Sequence, residues 1–515
     1  MNERGMARHA GTFQRAANEP LAPVLVTVAY VLNAGMAAGV YAQTMARPLL
    51  LGIVGAATIT VIAVGFTRNR DMGGLIALLT LVLIGLGGAV GTVLTRTAWW
   101  QAGIWLALVV VALGLLMHIL RRRGRTRSVV PRSASNNLFA SLLLVVVVVT
   151  GVANGRVSDF VGDLTASRRP DAPSTAKDDI VVLVLDGYPR ADTLTRLFDH
   201  DNQPFLDGLE QRDFFVADEA RSNYAWTELT LLSMLHMEPA QEVEGFARIS
   251  RGEVPTQPSL RTLTGRNPAF QHLRDGGYAI TTVAPTIDHV ALRYVDESHV
   301  PPGVSDFEIH LMSSTAIAGL VSMVDPAFFA RNQRDQVLWG MTKLDAVATS
   351  HAGGRLVLGH VMTPHMPAVF HADGSLREVP FDHRFFYDFR ALAGTPRQEW
   401  VDSFRDQVTF LNRRVTDVID HIIEKNPTAT VIVMSDHGSG SEFNATAPAK
   451  EIDERFGILF AARTPDREGL FAVDQTPVNV FASLLEHHLG LELPRHPDTG
   501  YLGYLHLTPL PTAPE

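Results

Sequence analysis

Apolar residues are arranged differently in the two parts of this 515-residue chain. Up to about residue 155 they form long runs without Asp, Glu, Lys or Arg. Each run is close to the roughly 20 residues that a helix needs to cross a bilayer. The runs cover residues 21–42, 48–66, 74–95, 102–120 and 138–154. We therefore predict a transmembrane domain of five helices over residues 1–155.

Shorter apolar runs alternate with amphipathic stretches in the rest of the chain. Residues 180–185 (IVVLVL), 355–361 and 430–435 are typical of buried strands, whereas residues 397–425 repeat their apolar positions at helical spacing. Alternation of this kind predicts a doubly wound α/β/α sandwich. Only residues 286–350 give no firm pattern.

A polar stretch containing Pro, Ser and Ala separates these two parts of the chain. It covers residues 156–178, and we interpret it as a linker. Residues 179–515 then remain for the α/β domain. The predicted architecture is a five-helix membrane anchor followed by an α/β/α sandwich.

The distribution of charge supports this division and gives it an orientation. The first 155 residues contain thirteen Arg, no Lys and three acids, a charge of +10; because the whole chain carries −9, the remainder carries −19. If the amino terminus is cytoplasmic, eleven of these arginines lie inside and only Arg47 and Arg96 lie outside. An odd number of spans then places residues 179–515 outside the cytoplasm. We expect a multi-pass plasma-membrane protein whose partner is the lipid bilayer.

Composition also excludes several classes of function. The chain has no cysteine, which excludes disulfides, thiolate zinc sites, iron–sulfur centres and cysteine nucleophiles. The acidic soluble part has no basic run, which argues against a nucleic-acid partner. The interiors of the apolar runs contain no Asp, Glu, Lys or Arg, so an anchor is favoured over a transporter.

Two predicted strands end on an acid, and in each case a glycine follows shortly. Residues 180–185 lead into Asp186, and residues 430–435 lead into Asp436, His437 and Gly438. Ligands of open α/β sheets bind at the carboxyl ends of strands, so these side chains could meet around a divalent metal.

Thr227, near the start of a predicted helix, could supply a fourth ligand and a nucleophile. A hydroxyl on a divalent cation has a lowered pKa, and a helix amino terminus favours an incoming anion. Each residue also has a simpler explanation on its own. Asp186 and the Asp436 motif could form turns, and Thr227 could cap its helix. Their common position at strand or helix ends favours a joint role.

These motifs resemble those of the alkaline phosphatase superfamily. The resemblance is to its sulfatase-like branch, which includes bacterial membrane phosphoethanolamine transferases and lipoteichoic acid synthases, and it covers about residues 179–490. In that branch one catalytic metal is bound by an acid after the first strand, a Thr near the next helix start and the Asp–His pair of a DHG motif. The matching residues here are Asp186, Thr227, Asp436 and His437.

Two histidines in the stretch GHVMTPHMP extend the resemblance. His360 and His365 match a pair of histidines that lie near the substrate phosphate in that branch. The chain also departs from the pattern. Thr227 is not part of the C/S-x-P-x-R motif of the formylglycine sulfatases, and no further His follows the DHG motif as it does in the phosphoethanolamine transferases. The resemblance therefore implies one metal rather than two.

The resemblance implies a metal-dependent hydrolase or transferase that acts on phosphoesters of the cell envelope, such as a phospholipid headgroup or a glycan phosphate. Thr227 would be its nucleophile. Oxygen-rich ligation with a single His suits Zn or Mn, with Ca as the alternative. Two rival functions stay open: a sulfatase or phosphatase that uses the same metal site, and a non-catalytic envelope scaffold that has kept the fold.

Overall fold

The computed structural model describes residues 19–94, 137, 140–147, 177–254, 256–350, 353–381, 388–443 and 449–510. The helices in these ranges are α1 (Ala22–Ala38), α2 (Ala42–Thr67), α3 (Arg70–Leu94), α4 (Ala191–Phe198), α5 (Gln203–Glu210), α6 (Thr227–His236), α7 (Phe246–Ser250), α8 (Thr256–Gly265), α9 (Pro268–Asp275), α10 (Asp306–Ser313), α11 (Ile317–Val324), α12 (Phe328–Ala348), α13 (Arg390–Ala393), α14 (Arg397–Lys425), α15 (Ala449–Phe456) and α16 (Pro477–Leu489). The strands are β1 (Ile180–Leu185), β2 (Phe215–Val216), β3 (Ala279–Val283), β4 (Glu297–His299), β5 (Arg355–Val361), β6 (Thr430–Met434), β7 (Phe460–Arg463), β8 (Tyr501–Leu502) and β9 (Thr508–Pro509).

The chain folds into two compact units. The N-terminal unit comprises Met1–Thr165 together with Ser305–Asp325. The α/β unit comprises Ala166–Val304 together with Pro326–Glu515. Helices α10 and α11, which come from the stretch without a firm sequence pattern, thus belong with the N-terminal helices.

The first three predicted transmembrane segments correspond to α1, α2 and α3. Among the described helices, α2 is long and apolar enough to cross a membrane by itself, and α10 with α11 pass the same test as a pair bent by 102°. Helix α1 is shorter than predicted because Gly39, in a left-handed conformation with φ of 66°, ends it.

The prediction of five spans is therefore not confirmed by the described residues. Segment 102–120 lies outside them, and segment 138–154 is described only over residues 140–147. One or two candidate spans remain, depending on whether the bent pair counts as one.

A seven-stranded sheet of order β2-β7-β6-β1-β5-β3-β4 forms the centre of the α/β unit. Strand β1 pairs in parallel with β5 on one side and with β6 on the other. Strand β7 runs antiparallel to β6, and β2 antiparallel to β7. The sheet is therefore mixed at one edge and parallel from β6 to β4.

The unbroken apolar sequence of β1 reflects burial on both faces. Val181, Leu183 and Leu185 belong to one hydrophobic core, and the alternate residues Ile180, Val182 and Val184 belong to a second. A strand covered on both sides needs such a run instead of alternating polar positions. Helix α14 contributes its whole predicted apolar face to the first core, and α16 contributes to the second. The predicted α/β/α layering is thus present in this unit.

Candidate metal centre

Asp186 and Asp436 follow neighbouring strands at the carboxyl edge of the sheet. Because β1 and β6 pair in parallel as far as Val184 and Met434, the residues beyond them leave the sheet side by side. Both carboxylates are completely buried, and the backbone N–H of Gly187 donates to Asp436 Oδ1 over 3.1 Å. Gly187 has a φ of 75°, which a residue without a Cβ adopts at little cost.

The imidazole of His437 brings these carboxylates together with Thr227. Its Nε2 lies 3.6 Å from Asp186 Oδ1, 3.4 Å from Asp436 Oδ2 and 3.2 Å from Thr227 Oγ1. Its Nδ1 lies 2.9 Å from the carbonyl oxygen of Gly438. That oxygen can only accept, so Nδ1 carries the proton of the neutral ring and Nε2 presents its lone pair to the site. The four residues proposed as ligands from the sequence therefore lie close together.

Thr227 is the first residue of α6, and the residue at the cap position is Trp226. No side chain of the described residues caps this helix, and Thr227 lies one position after the cap, so the explanation of Thr227 as a helix cap does not hold. The Thr227 side chain is buried against the site, with its hydroxyl directed at His437 Nε2. The free N–H groups of the first turn of a helix favour an anion at such a position.

Two carboxylate oxygens in this site have no hydrogen-bond partner among the described residues, Asp186 Oδ1 and Asp436 Oδ2. Burial alone would raise the pKa of Asp186, but the charge of the neighbouring His365 and the hydrogen bond with His360 outweigh it and hold that pKa below its usual range. A buried, ionised and incompletely paired carboxylate is unfavourable unless a cation compensates it. The donor set of carboxylates, imidazole and hydroxyl therefore fits a divalent cation.

His360, at the end of β5, contacts the far oxygen of one of these carboxylates. Its Nε2 lies 3.0 Å from Asp186 Oδ2. One ligand atom each from Asp186, His360 and Asp436 also lie within 4.8 Å of one another, so these three residues could hold a metal themselves. From the sequence we expected His360 to lie near the substrate phosphate. In the structure it is adjacent to Asp186 and contacts that carboxylate.

His365, in the loop after β5, keeps 18% of its side chain exposed. Its Nδ1 lies 2.6 Å from the carbonyl oxygen of Met366, and its Nε2 lies 3.7 Å from Asp388 Oδ1. Burial lowers the pKa of His365, but the carboxylates of Asp388 and Asp186 outweigh this effect and raise it. The surroundings of this ring therefore favour its protonated form.

Arg455, in the last turn of α15, is buried beside the site, and the sequence did not predict it. Its Nη2 lies 3.0 Å from His437 Nε2, and its Nη1 pairs with the carboxylate of Asp388. Its remaining donors reach the carbonyl oxygens of Gly438 at 3.0 Å and Ala225 at 2.9 Å. Nothing in the local sequence marks Arg455 or Asp388, because their partners are distant along the chain.

Buried hydrogen bonds fix the loop that carries Asp436 and His437. Ser435 Oγ lies 2.7 Å from the carbonyl oxygen of Leu185, so it joins the ends of β6 and β1. After the motif, the buried carboxylate of Glu454 accepts from the N–H groups of Ser441 and Glu442. These contacts limit how far the metal-site residues can move.

No protein-family model and no curated protein matches this chain. Solved structures similar to it include the 2-O GAG sulfatase BT1596, with 12% identity over 62% of this chain and 72% of the other and a TM-score of 0.42. The periplasmic domain of EptC from Escherichia coli in complex with Zn has 14% identity over 67% and 96% and a TM-score of 0.40. The integral membrane lipooligosaccharide phosphoethanolamine transferase A of Neisseria meningitidis has 12% identity over 80% and 75% and a TM-score of 0.37.

Proposed function

We propose that this chain is a membrane-anchored, metal-dependent enzyme that transfers or hydrolyses a phosphoester through the hydroxyl of Thr227. One observation carries the proposal. Thr227 Oγ1 and the lone pair of His437 Nε2 are 3.2 Å apart, beside the two buried carboxylate oxygens that lack partners. A nucleophile and a cation-binding set in contact are what displacement at phosphorus requires.

Asp186, Asp436, His437 and Thr227 would hold one divalent cation, and Zn or Mn suits this donor set better than Ca. When bound, the cation supplies positive charge that lowers the pKa of the Thr227 hydroxyl and draws the ester oxygens towards it. His360 would orient Asp186 through their hydrogen bond.

Thr227 Oγ1 would lose its proton to solvent and attack the phosphorus, forming the Oγ–P bond while the bond from phosphorus to the leaving oxygen breaks. His365 would donate a proton to that leaving oxygen, because its carboxylate neighbours favour the protonated ring. Arg455 Nη2 lies at the His437 lone pair that a cation would take, so on metal binding this donor would turn from His437 Nε2 to the oxygens of the phosphoryl group. Water or an acceptor hydroxyl would then attack the phosphorus and release Thr227.

The proposed substrate is an envelope phosphoester, such as a phospholipid headgroup or a glycan phosphate. The support comes from the N-terminal unit, where α2 has the length and apolarity of a membrane-spanning helix. With the orientation inferred from the arginines, the site faces the outside of the plasma membrane. A site tethered there meets lipid-linked esters at high local concentration.

The test is to trap the phosphoryl group on Thr227. The full-length protein in detergent is loaded with Zn or Mn, incubated with phospholipid vesicles and digested, and the peptide carrying Thr227 is analysed by mass spectrometry. We expect Thr227 to carry the phosphoryl group of the lipid with its remaining ester substituent, and we expect turnover of a generic phosphodiester. Thr227→Ala should lose both, whereas Thr342→Ala, at an exposed position of α12, should keep both.

Other outcomes favour the rival functions. Sulfate trapped on Thr227 from a sulfate ester, without phosphate, would indicate a sulfatase. Turnover that persists in Thr227→Ala would overturn the nucleophile assignment. A wild-type protein that binds no metal and cleaves neither ester would leave the scaffold as the better explanation.

A further inference from the structure

The segment Ser305–Asp325 belongs to the N-terminal unit although both of its neighbours along the chain belong to the α/β unit. It consists of α10 and α11, bent by 102° relative to each other. Its first residues include Asp306, Glu308 and His310, whereas residues 311–324 (LMSSTAIAGLVSMV) contain no ionisable side chain. Polarity thus falls from the start of α10 to the end of α11.

Charged and apolar contacts join α10 to one end of the N-terminal helices. The guanidinium of Arg47, near the start of α2, pairs with both carboxylate oxygens of Glu308. Phe307 is buried against Val31 and Met45 in one cluster. Arg47 is one of the two arginines that the orientation rule places outside, so this end is the outer end of α2.

The bend that follows α10 contacts α1 at the same depth as Val31, and it contacts the middle part of α3. The hydroxyl of Ser314 contacts that of Tyr30, near the middle of α1, over 2.6 Å. The N–H of Ala316 donates to the carbonyl oxygen of Ile84, in the middle part of α3, over 3.2 Å. The bend between α10 and α11 therefore lies well below the helix ends.

The bend satisfies the condition that a bilayer imposes on non-helical backbone. Lipid offers no hydrogen bonds, so an irregular segment at membrane depth needs protein partners for its polar groups. The N–H groups of Ser314, Thr315 and Ala316 donate to the carbonyl oxygens of His310, Met312 and Ile84. The N–H of Ile317 donates to Thr315 Oγ1 over 3.1 Å.

Helix α11 nevertheless exposes apolar side chains. Ile317 is 41% exposed, Met323 48% and Val324 89%. Helix α2 of the same unit exposes Val61 at 71% and Phe66 at 75% in a stretch without charges. Acyl chains would cover both sets of side chains in the same way.

We propose that residues 305–325 form a re-entrant segment, which enters the outer leaflet along α1 to α3 and seats α11 among lipid acyl chains. The partner of this surface is the bilayer. The inference rests on the membrane-anchor part of the proposed function and is independent of the chemistry at Thr227. Because the segment interrupts the α/β unit in sequence, it gives that unit an attachment to the membrane besides the linker at 156–178.

Site-directed fluorescence tests this placement, and the absence of cysteine gives a clean background. Single-cysteine variants of the full chain are labelled with an environment-sensitive fluorophore and reconstituted in phosphatidylcholine vesicles. Val324→Cys and Met323→Cys report on α11, Val61→Cys on α2, and Val473→Cys on an exposed position of the α/β unit. Each label is quenched in turn by a nitroxide on the lipid acyl chain and by aqueous iodide.

We expect both α11 labels to lose fluorescence to the lipid nitroxide as the Val61→Cys label does, and to resist iodide. The Val473→Cys label should show the reverse. Iodide quenching of α11 labels at the level of Val473→Cys would overturn the proposal. Protection from both quenchers would also overturn it, since protein would then cover α11. If the Val61→Cys label itself escapes the lipid quencher, the membrane anchor fails and the re-entrant segment fails with it, while the Thr227 chemistry stays open to its own test.

Discussion

Two carboxylate oxygens of the site, Asp186 Oδ1 and Asp436 Oδ2, are buried without hydrogen-bond partners among the described residues. Without a cation these two carboxylates repel each other and remain poorly solvated. With a cation bound only to the folded state, mass action stabilises that state by about 2.7 kcal/mol when free metal is 100 times Kd. Metal binding should therefore be measurable as an increase in the free energy of unfolding.

Replacing one carboxylate should remove both the metal and its stabilising effect. Chelation should lower the thermal midpoint of the wild-type protein and leave that of Asp436→Asn unchanged. The metal-free variant should melt at or above the metal-free wild type, because the substitution removes the repulsion. The measurements are metal content by elemental analysis and melting with and without chelator.

The matched control for this experiment is Asp373→Asn. Asp373 lies in an exposed turn, where it accepts from Ser375. This variant should keep the metal content and the chelator effect of the wild type. An Asp436→Asn protein that still binds metal with the same stoichiometry would contradict the ligand assignment.

Among elements, the contact of the loop after β6 with α15 sets the position of His437. A Cβ added at Gly438 would lie 2.1 Å from the carbonyl oxygen of Glu454 and 2.9 Å from that of Gly457. Both atoms are backbone, so relief requires movement of the end of α15 that carries Arg455. Gly438→Ala should therefore destabilise the protein by about 1–3 kcal/mol and weaken metal binding.

Gly340→Ala is the matched control for that substitution. Gly340 lies inside α12, and nothing stands within 4 Å of the added Cβ. The change should leave the site intact and raise helix stability by up to about 1 kcal/mol. The measurements are thermal melting and metal affinity of both variants. Equal effects of the two substitutions would show that the close approach at Gly438 is unimportant.

The elements that the sequence predicted correctly are those with a local signal. The helix over residues 397–425 and the strand over residues 355–361 have the predicted bounds. Both could be predicted because a helical period and an unbroken apolar run involve only residues that are close together in the sequence. Helices α10 and α11 gave no such signal. The apolar residues of α10 pack on α1 and α2, more than 250 residues earlier in the chain, so a local period in the sequence does not reveal them.

The same distinction applies to the site. Asp186, Asp436 and His437 could be predicted because the ends of buried strands are conspicuous in a sequence and meet at one sheet edge. Arg455 could not, since its carboxylate partner Asp388 is 67 residues away and neither residue ends a strand. The fold itself creates this part of the site.

For the molecule as a whole, resistance to acid depends on histidines that are kept neutral inside it. His488, on α16, lies between two other elements of the α/β unit. Its Nε2 is 3.0 Å from Thr430 Oγ1, and its Nδ1 is 3.2 Å from the hydroxyl of Tyr278. Burial, with a smaller contribution from the neighbouring His487, lowers the pKa of His488 to about 4.

This lowered pKa predicts how stability changes with pH. Between the ordinary histidine pKa of about 6.5 and the folded value, the unfolded chain binds a proton that the folded chain rejects, so stability falls as pH falls. At about 1.36 kcal/mol per pKa unit the loss from this residue approaches about 3 kcal/mol near pH 4. His488→Gln should therefore flatten the decline in thermal midpoint between about pH 7 and about pH 5.

His421 is the matched control for this experiment, because its side chain is exposed whereas that of His488 is partly buried. It is exposed, and its hydrogen bond with Asp345 raises its pKa, so it contributes stability that is present at acid pH and lost as pH rises. His421→Gln should leave the acid decline unchanged or make it steeper. An acid decline in His488→Gln as steep as that of the wild type would mean that other groups set the pH dependence of the whole molecule.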